Sequence, residues 1–434
     1  MYFIKEKESY GLACLTERRD KRLKRIHILS LILLVIIVTA TVSLLFSYTQ
    51  SGGNTGKNQV YVGIAFCGNT TSQAYALIDR VKSYTNVFVL DCGINPISDN
   101  LTAAREICDY AVNSGLYLIV NLGTWRQQDW NGKIQFLNES KYLYGSKFLS
   151  VYYDDEPAGT EVDYNWTDTF RENSSYLFRP SNWSLNSIYG SLQQSSMTGI
   201  PPDNYTLEAN WFNYLLKQNR GTTSLNLYNI TYLTTDYALY WFDYLGGYGT
   251  ILAQLGTNSS VDQQIALVRG AATLQSKTWG TIITWKYDQA PYLDTPSNIY
   301  QQMVESYNAG AKYIIIFNYS NGSQIDPYGG AMTDAHFRAL QNFWNQIVIK
   351  SSPNSIHAEA ALVLPKDYGW GMRNLNDRIW GFWGPDSKSP IIWNATQILL
   401  GRYGLKLDII YDDPEFPVAT GNYSKIYYWN QTIS

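Results

Sequence analysis

The chain has 434 residues, of which 45% are hydrophobic and 16% are charged, and its formal net charge is -3. This composition is typical of a globular protein and excludes an intrinsically disordered one, and the length suffices for one large domain and a smaller one. Because no basic stripe follows the first 25 residues, no nucleic-acid partner is expected.

The N-terminal region predicts a membrane anchor. Residues 28–48 are 21 uncharged residues, long enough for a transmembrane helix across roughly 30 Å of hydrocarbon. Eight Lys and Arg residues precede this segment, and no charge follows it before Lys57. By the positive-inside rule, residues 1–27 are then cytoplasmic, residues 28–48 contact the lipid bilayer, and the body after the linker 49–59 is extracellular. A cleaved signal peptide is the alternative, which the lack of a small-x-small cleavage site disfavours.

Sequons support an extracellular body, because every N-x-[ST] site follows the predicted span. The sites are Asn69, Asn100, Asn138, Asn165, Asn173, Asn182, Asn204, Asn229, Asn258, Asn318, Asn321, Asn394, Asn422 and Asn430. A sequon at a strand end, such as that of Asn318, has a packing or site role as its alternative. The pattern therefore predicts a glycoprotein.

Cysteine usage indicates at most one disulfide. Cys14 lies on the predicted cytoplasmic side, which leaves Cys67, Cys92 and Cys108 in an oxidising compartment. Cys67 and Cys92 end adjacent predicted strands and form the expected pair, with Cys92 and Cys108 as the next choice. Burial without a disulfide is the alternative for each.

Apolar runs alternate with helical patterns after the linker. They predict strands at Val60–Phe66, Val87–Asp91, Leu116–Asn121, Leu149–Asp154, Thr231–Asp236, Thr250–Gln254, Thr281–Trp285 and Lys312–Asn318. Helices are predicted at Ser72–Tyr84, Leu101–Ser114, Val261–Ser276, Ser297–Ala309 and Asp334–Lys350, the last with Asp334 as its N-cap. Eight such repeats favour a (β/α)8 barrel over residues 60–352, with an open doubly wound α/β sheet as the alternative.

Two segments depart from this repeat. The fourth crossover is enlarged to residues 157–229, and its aromatic residues favour an ordered insertion that overhangs the barrel mouth. Residues 357–434 predict a small α/β domain that packs on the barrel, because its three strands bury too little apolar surface alone. Within it, the segment GWGMRNLNDRIWGFWGPD is either a binding loop or a well-packed irregular connection.

The carboxyl ends of the predicted barrel strands carry many polar side chains, and barrel enzymes place their active sites at these ends. The residues are Asp91, Asn121, Asp154, Asp155, Glu156, Asp236, Gln254, Trp285, Lys286, Asp288 and Asn318. Because side chains alternate along a strand, Tyr152, Asp154 and Glu156 are expected on one face, where the two carboxylates can act together.

Strand 7 supplies candidate partners for this acidic cluster. We expect Asp288 to lie across the barrel opening from Glu156, and Lys286 to neutralise the charge of one of the carboxylates at this opening. A structural ion-pair network that closes the barrel is the alternative. Four aromatic rings offer flat faces for sugar rings, with core packing as the alternative: those of Trp125, Trp130, Tyr152 and Trp285.

At these residues the chain resembles the barrel superfamily of glycoside hydrolases, over about residues 58–350 and most specifically at YYDDEP. The resemblance to the large retaining clan implies that Glu156 is the general acid. Asp155 stands where that clan has an Asn before this Glu, and strand 7 offers Asp288 where the clan has a nucleophilic Glu. The short D-x-E pattern of Asp154 and Glu156 also resembles the chitinase-like group, which implies assistance by the substrate's own acetamido group. Either route needs a carboxylic acid and a negative group beside an oxocarbenium-like centre.

Two functions are therefore expected from different classes. The first is a membrane-anchored extracellular glycoside hydrolase whose partner is a glycan or polysaccharide. The alternative is a non-catalytic cell-surface glycoprotein that uses the barrel for glycan binding or for envelope structure. The absence of a strand-7 Glu is the feature that separates them. A Tyr-rich and sequon-rich body on such an anchor also resembles archaeal surface proteins.

The sequence carries no motif for a metal or cofactor. The three histidines, His27, His336 and His357, are scattered along the chain. There is no H-E-x-x-H, P-loop or G-x-S-x-G motif, and no G-x-G-x-x-G at a strand-to-helix turn. We therefore expect neither a metal nor a cofactor.

Overall fold

Eight parallel strands close into a barrel in the order β1 to β8. The computed structural model describes residues 59–93, 96–123, 130–163, 204–256, 260–322, 326–350, 356–418 and 421–433. The barrel strands are β1 (Tyr61–Phe66), β2 (Val87–Asp91), β3 (Tyr117–Asn121), β4 (Phe148–Tyr152), β5 (Tyr232–Asp236), β6 (Thr250–Leu255), β7 (Thr278–Ile283) and β8 (Tyr313–Asn318). The predicted barrel is confirmed, and the open sheet is excluded because β1 pairs with β8 as well as with β2.

Helices connect these strands and cover the outside of the barrel. The helices of residues 59–343 are α1 (Thr71–Val81), α2 (Leu101–Asn113), α3 (Trp130–Tyr144), α4 (Pro157–Asp163), α5 (Tyr205–Gln218), α6 (Arg220–Leu227), α7 (Tyr240–Leu245), α8 (Val261–Leu274), α9 (Pro296–Asn308) and α10 (Asp334–Phe343). The predicted N-cap Asp334 is the first residue of α10 instead, because Thr333 caps it and accepts from the backbone of His336.

The barrel interior is apolar because alternate residues of each strand point inward. Ala65, Ile119, Leu252 and Ile315 belong to this inner cluster and are essentially inaccessible to solvent. The residues between them pack outward against the helices in a second and larger cluster. This filled interior leaves the carboxyl ends of the strands as the open end at which a cavity can form.

Two strands, β4 and β7, end earlier than predicted, and both differences affect the site. Strand β4 ends at Tyr152, two residues before the predicted end at Asp154, because the backbone of Asp154 has a φ of 59°. Strand β7 ends at Ile283, so that Lys286 lies beyond it in a turn. The backbone N–H groups of Lys286 and Tyr287 both donate to the carbonyl of Tyr292, which closes that turn.

The C-terminal segment forms a second sheet beside the barrel. Its strands are β9 (Ala360–Leu364), β10 (Leu407–Tyr411) and β11 (Lys425–Tyr428), paired in the order β10-β9-β11, with α11 (Ser389–Tyr403) between β9 and β10. Helix α8 is buried between this sheet and the barrel, where Arg269 forms an ion pair of 2.8 Å with Asp408. By its contacts, Val60–Ser434 forms one compact unit, and the predicted boundary near residue 352 stays a prediction.

The predicted disulfides are wrong, because Cys67, Cys92 and Cys108 are free thiols. The sulfur of Cys92 donates to the backbone carbonyl of Asn121 at 3.2 Å. The thiol of Cys67 forms a hydrogen bond with the carboxyl group of Asp91 instead. Cys67 and Cys92 therefore each have a partner of their own, and burial raises the pKa of all three thiols.

Several predictions concern residues outside the described ranges. These are the membrane anchor at 28–48, most of the linker, Trp125, and residues 164–203 of the insertion. Among the described residues, no helix combines the length and apolar character needed to cross a bilayer. The sequon of Asn318 is described, and its amide nitrogen is buried and donates to Asp326, so it is no glycan site in the folded protein.

Candidate active site at the barrel mouth

A cavity of about 750 Å³ lies at the carboxyl ends of strands β4 to β8. Its lining residues come from these strands, from the loops that follow them and from the C-terminal segment: Tyr152, Asp155, Glu156, Asp163, Thr235, Tyr237, Gln254, Gly256, Gln264, Ile282, Thr284, Trp285, Asp288, Phe317, Tyr319, Arg373 and Asn374. Of the polar residues predicted at the strand ends, five line this cavity: Asp155, Glu156, Gln254, Trp285 and Asp288.

The backbone after β4 turns sharply and aims Glu156 into the cavity. Both Asp154 and Glu156 have positive φ angles, 59° and 56°, and α4 begins at the next residue, Pro157. The backbone N–H of Glu156 donates to the carbonyl of Thr235 at 3.0 Å, which ties the turn to β5. Two non-glycine residues in the left-handed region are uncommon in so short a stretch and mark this turn as strained.

Glu156 presents a carboxyl group to the cavity. Its Oε1 accepts a hydrogen bond of 2.6 Å from Nε2 of Gln254, which also contacts Thr235. Burial and the nearby charge of Asp155 raise the pKa of Glu156 to about 7, whereas the Gln254 hydrogen bond lowers it. A carboxyl group with this pKa keeps its proton in weakly acidic solution and can donate it to a leaving group.

Asp155 presents a second carboxyl group to the same cavity. The hydroxyl of Tyr152 donates to its Oδ1, and Thr235 Oγ1 donates to the same oxygen from 2.7 Å. Although the side chain is open to the cavity, surrounding protein reduces its solvation and raises its pKa, while the two hydroxyl donors oppose this shift. Hydroxyl donors stabilise the charged form, so Asp155 is equipped to act as the negative group.

Asp91 and Asn121 form a polar pair at the ends of β2 and β3. Asn121 donates to Asp91 at 2.9 Å and accepts from the backbone N–H of Gly123. Burial and the charge of Asp155 raise the pKa of Asp91 to about 7. Neither residue lines the cavity, and like-charge repulsion between Asp91 and Asp155 disfavours ionisation of both carboxyl groups at once.

The expected pairing of Asp154 with Glu156 is contradicted. The strand ends before Asp154, so the alternation of side chains fails there, and Asp155 shares the cavity with Glu156 in its place. Asp154 accepts from the amide of Asn219 at 3.3 Å, outside the cavity lining. Burial raises the pKa of Asp154 to about 7, with a smaller contribution from Asp155.

Two predicted substrate-binding residues have structural surroundings instead. Asp236 is fully buried and accepts from the backbone N–H groups of Ala158 and Gly159 at the start of α4, at 2.8 and 2.9 Å. Asn318 is buried and accepts from the backbone N–H groups of two residues of the loop before α10. Both side chains therefore hold loops in place, and neither lines the cavity.

The residues after β7 are divided between the cavity and its surroundings. Asp288 lines the cavity on an exposed turn, whereas Lys286 does not line it. The indole N–H of Trp285 donates to the carbonyl of Tyr319 at 2.9 Å, and the two rings stack with centroids 5.4 Å apart. With Phe317, these rings form the aromatic wall of the cavity.

Several cavity residues were not anticipated from the sequence, among them Asp163, Tyr237, Arg373 and Asn374. Tyr237 donates from its hydroxyl to Asp163 at 2.6 Å, and the Arg373 guanidinium contacts the same carboxylate at 2.7 Å. Asn374 follows Arg373 in the C-terminal segment. The aromatic, glycine-rich composition of that segment was the available signal, since it allowed a binding loop. The segment is well packed, since Trp370 is fully buried, and it also contributes Arg373 and Asn374 to the cavity lining; its role as a binding loop stays a prediction.

The part of the chain that the structure describes holds no group of three His, Cys, Asp or Glu side chains arranged for a metal ion.

Comparison with solved structures relates this barrel to glycoside hydrolases. A β-galactosidase from the haloarchaeon Halorubrum lacusprofundi superposes with a TM-score of 0.55 at 10% identity, over 85% of this chain and 69% of its own. A GH5_18 protein from Streptomyces cattleya in complex with GlcNAc gives 0.53 at 10% identity, over 86% and 99%. A β-galactosidase from Marinomonas ef1 gives 0.53 at 9%, over 85% and 72%.

No protein-family model matches the chain, and no curated protein matches its sequence. At identities of about 10%, the structural neighbours show the fold alone. The chain therefore has a (β/α)8 barrel that is similar in fold to the barrels of these β-galactosidases and of the GH5_18 protein.

Proposed function

We propose that this protein is an extracellular glycoside hydrolase, anchored by residues 28–48, in which Glu156 is the general acid. The observation that carries the proposal is a carboxyl group with a pKa of about 7 that faces a cavity of about 750 Å³ with an aromatic wall. Cavities of this kind fit a sugar ring, and a protonated carboxyl group is what cleavage of a glycosidic bond requires.

Asp155 is the proposed negative partner of Glu156. It lies in the same cavity, and the hydroxyl groups of Tyr152 and Thr235 orient its carboxylate. Asp288 is the second candidate for this role, because it lines the cavity from the loop after β7. Asp154, which the chitinase-like pattern favours, has no such position.

The charges of the cavity favour a neutral glycan. Four carboxyl groups line it, those of Asp155, Glu156, Asp163 and Asp288, against the single guanidinium of Arg373. A uronic acid or a sulfated sugar would meet repulsion there. The GlcNAc bound by the Streptomyces cattleya neighbour is a neutral sugar and agrees with this substrate class.

A non-catalytic glycan-binding glycoprotein is the second candidate function. The observation that favours it is the position of Asp288, which lies on an exposed turn rather than at the end of β7. A binding protein would keep the aromatic wall and the cavity without needing a protonated Glu156.

The decisive variant is Glu156→Gln, which keeps the shape and accepts from Gln254 but has no acidic proton. On a panel of neutral oligosaccharides, the full-length protein should lose roughly 100-fold or more in hydrolysis rate while it still binds the sugar. Glu139→Gln, on the outer face of α3, is the matched control. Hydrolysis that survives in Glu156→Gln would exclude this residue as the acid. A wild-type protein that binds glycans without cleaving any would establish the second candidate.

The proposed topology has its own test. Protease added outside intact cells should release a nearly full-length glycosylated body, because residues 1–27 are placed in the cytoplasm and the rest beyond the span outside. A protease-protected body without glycans would overturn both the extracellular location and the glycoprotein assignment.

A further inference from the structure

A loop of the C-terminal segment reaches the barrel mouth and is held rigidly. Gln263 of α8 donates to the carbonyl of Met372 at 2.7 Å, and the indole of Trp370 donates to the carbonyl of Asp377 at 3.0 Å. A Cβ on Gly371 would lie 2.3 Å from the carboxylate of Asp377, so only glycine fits there. This loop therefore presents its next residue, Arg373, in a defined position.

The guanidinium of Arg373 bridges this loop and helix α4. Its Nε and one terminal nitrogen donate to the two carboxylate oxygens of Asp377, at 2.9 and 2.7 Å. It also contacts Asp163, the last residue of α4, at 2.7 Å. A bidentate contact with the nearly inaccessible Asp377 fixes the plane of the guanidinium, which a lysine could not reproduce.

Arg373 also clamps the ring of Tyr237. The guanidinium lies over this ring, 5.3 Å from its centroid. A Cβ added to Gly159 of α4 would lie 2.3 Å from the ring, which shows that Tyr237 packs directly on the α4 backbone. Because the Tyr237 hydroxyl donates to Asp163, the ring, the carboxylate and the guanidinium form one unit at the cavity edge.

This unit lies close enough to Glu156 to act on its charge. The carboxylate of Asp163 is one of the charges that raise the pKa of Glu156. Burial acts to raise the pKa of Asp163 itself, but hydrogen bonds from Arg373 and Tyr237 outweigh it, and the net pKa is lowered. Asp163 is therefore ionised, and the main opposing cation is Arg373, with a smaller contribution from Arg378.

We propose that Arg373 is a positioning residue for the chemistry at Glu156, so that the C-terminal segment completes the active site. It orders Asp163 and Tyr237 beside the general acid and offsets the negative charge of Asp163. This assignment rests on the proposed function, because it gives Glu156 the role of the acid.

The test compares full-length variants by their pH–rate profiles. Arg373→Gln should lower kcat/KM by about tenfold. It should also move the basic limb of the profile, the fall in rate as Glu156 loses its proton, to higher pH, because the uncompensated charge of Asp163 raises the pKa of Glu156. Arg373→Lys should restore the limb, because it keeps the charge. Asp163→Asn should move the limb to lower pH, the opposite direction. Arg80→Gln, which breaks an exposed ion pair with Asp334, is the control.

Titration of the Glu156 carboxyl by NMR provides a readout that needs no turnover. If Arg373→Gln and Asp163→Asn leave both the limb and this titration at their wild-type positions, the positioning role is overturned. If the wild-type protein cleaves no glycan but the two variants move the Glu156 titration in opposite directions, the proposed function fails and the electrostatic role of Arg373 stands. Because Asp163 is about half exposed, Asp163→Asn keeps the test decisive should Arg373→Gln fail to fold.

Discussion

Asp154 and Asp155 are sequence neighbours whose carboxyl groups have different surroundings. Asp155 faces the cavity and accepts from two hydroxyl groups, whereas Asp154 accepts only a long hydrogen bond from Asn219 among its side-chain partners. The positive φ at Asp154 is the cause, since it ends the alternation of the strand and turns the next residue toward the barrel axis. Adjacent acids therefore have separable roles.

Substitution of each acid by its amide distinguishes these roles. Asp155→Asn should lower the hydrolysis rate by roughly 100-fold, because the negative group beside the oxocarbenium-like centre is lost. Asp154→Asn should change the rate little, because the pKa of Asp154 is raised to about 7 and an amide resembles its protonated form. Rates measured at pH 5 decide between them. A larger loss in Asp154→Asn would restore the substrate-assisted route that the D-x-E pattern implies.

The same chemistry predicts how activity depends on pH. A general acid works in its protonated form, and the pKa of Glu156 is raised to about 7. Hydrolysis should therefore fall as the pH rises through about 7. If the hydrolysis rate already falls below pH 5, the general acid is a carboxyl group whose pKa is close to its usual value.

At the scale of elements, helix α4 begins immediately after Glu156, the proposed general acid, and fixes its position. Asp236 at the end of β5 accepts from the first free backbone N–H groups of α4, and these donors would otherwise be unpaired. Gly159 on the same helix leaves room for the ring of Tyr237. Two neighbours therefore hold the short helix α4: Asp236 at the end of β5 and Tyr237, the residue that follows this strand.

Gly159→Ala tests how closely α4 must pack. The new Cβ would lie 2.3 Å from the Tyr237 ring, so the ring or the helix must shift, at a cost of about 1–3 kcal/mol in the free energy of unfolding. Gly132→Ala in α3 is the matched control: its nearest neighbour would be 3.6 Å away, and it should be neutral or stabilising. Denaturant unfolding of both variants measures the difference. Equal stabilities would show that Tyr237 moves freely.

At the scale of the whole molecule, buried carboxyl groups are concentrated around one end of the barrel. Burial raises the pKa of Asp91, Asp154, Glu156 and Asp236 to about 7. The pKa of Asp243 is raised well above its usual range by burial, by the charge of Asp236 and by a hydrogen bond with that carboxyl group. Within the described ranges, no other donor contacts the carboxylate oxygens of Asp243, which fits a proton shared between the two acids.

These groups make folding stability depend on pH in a definite direction. Their folded-state pKa values lie above the unfolded values near 4, so the native state binds more protons, and stability falls as the pH rises from about 4 through about 7. Each such group steepens the fall by about 1.4 kcal/mol per pH unit within that window. The melting temperature should therefore be higher at pH 4.5 than at pH 7.5. Exposed acids with lowered pKa values, such as Asp79, act oppositely but only weakly, because solvent screens them.

Asp243→Asn isolates the contribution of the buried acid pair. The amide keeps a hydrogen-bond donor toward Asp236 and cannot ionise, so this variant should lose less stability than the wild type between pH 4.5 and 7.5. Exposed Asp334→Asn serves as the control, because its partner Arg80 is on the surface. A wild-type protein whose melting temperature rises toward pH 7.5 would contradict the predicted dependence.

The local pattern of the chain sufficed to predict the barrel. Continuous apolar runs such as VFVLD and KYIIIFN can be satisfied only by strands buried on both faces, and eight of them joined by helices close into a barrel. The carboxyl ends of the strands follow from the strands themselves. For this reason Glu156, Gln254 and Asp288 could be placed at one end of the molecule before any contact was known.

Tertiary structure alone decided which of these polar residues face the cavity. The strand-end rule ranks Asp155, Asp236 and Asn318 equally, because direction after a strand depends on single φ angles and on the hydrogen bonds of the following loop. Asp236 and Asn318 became loop supports because the backbone N–H groups near them needed acceptors. Arg373 reaches the cavity from a distant part of the sequence, and only the packing of the C-terminal segment on the barrel brings it there.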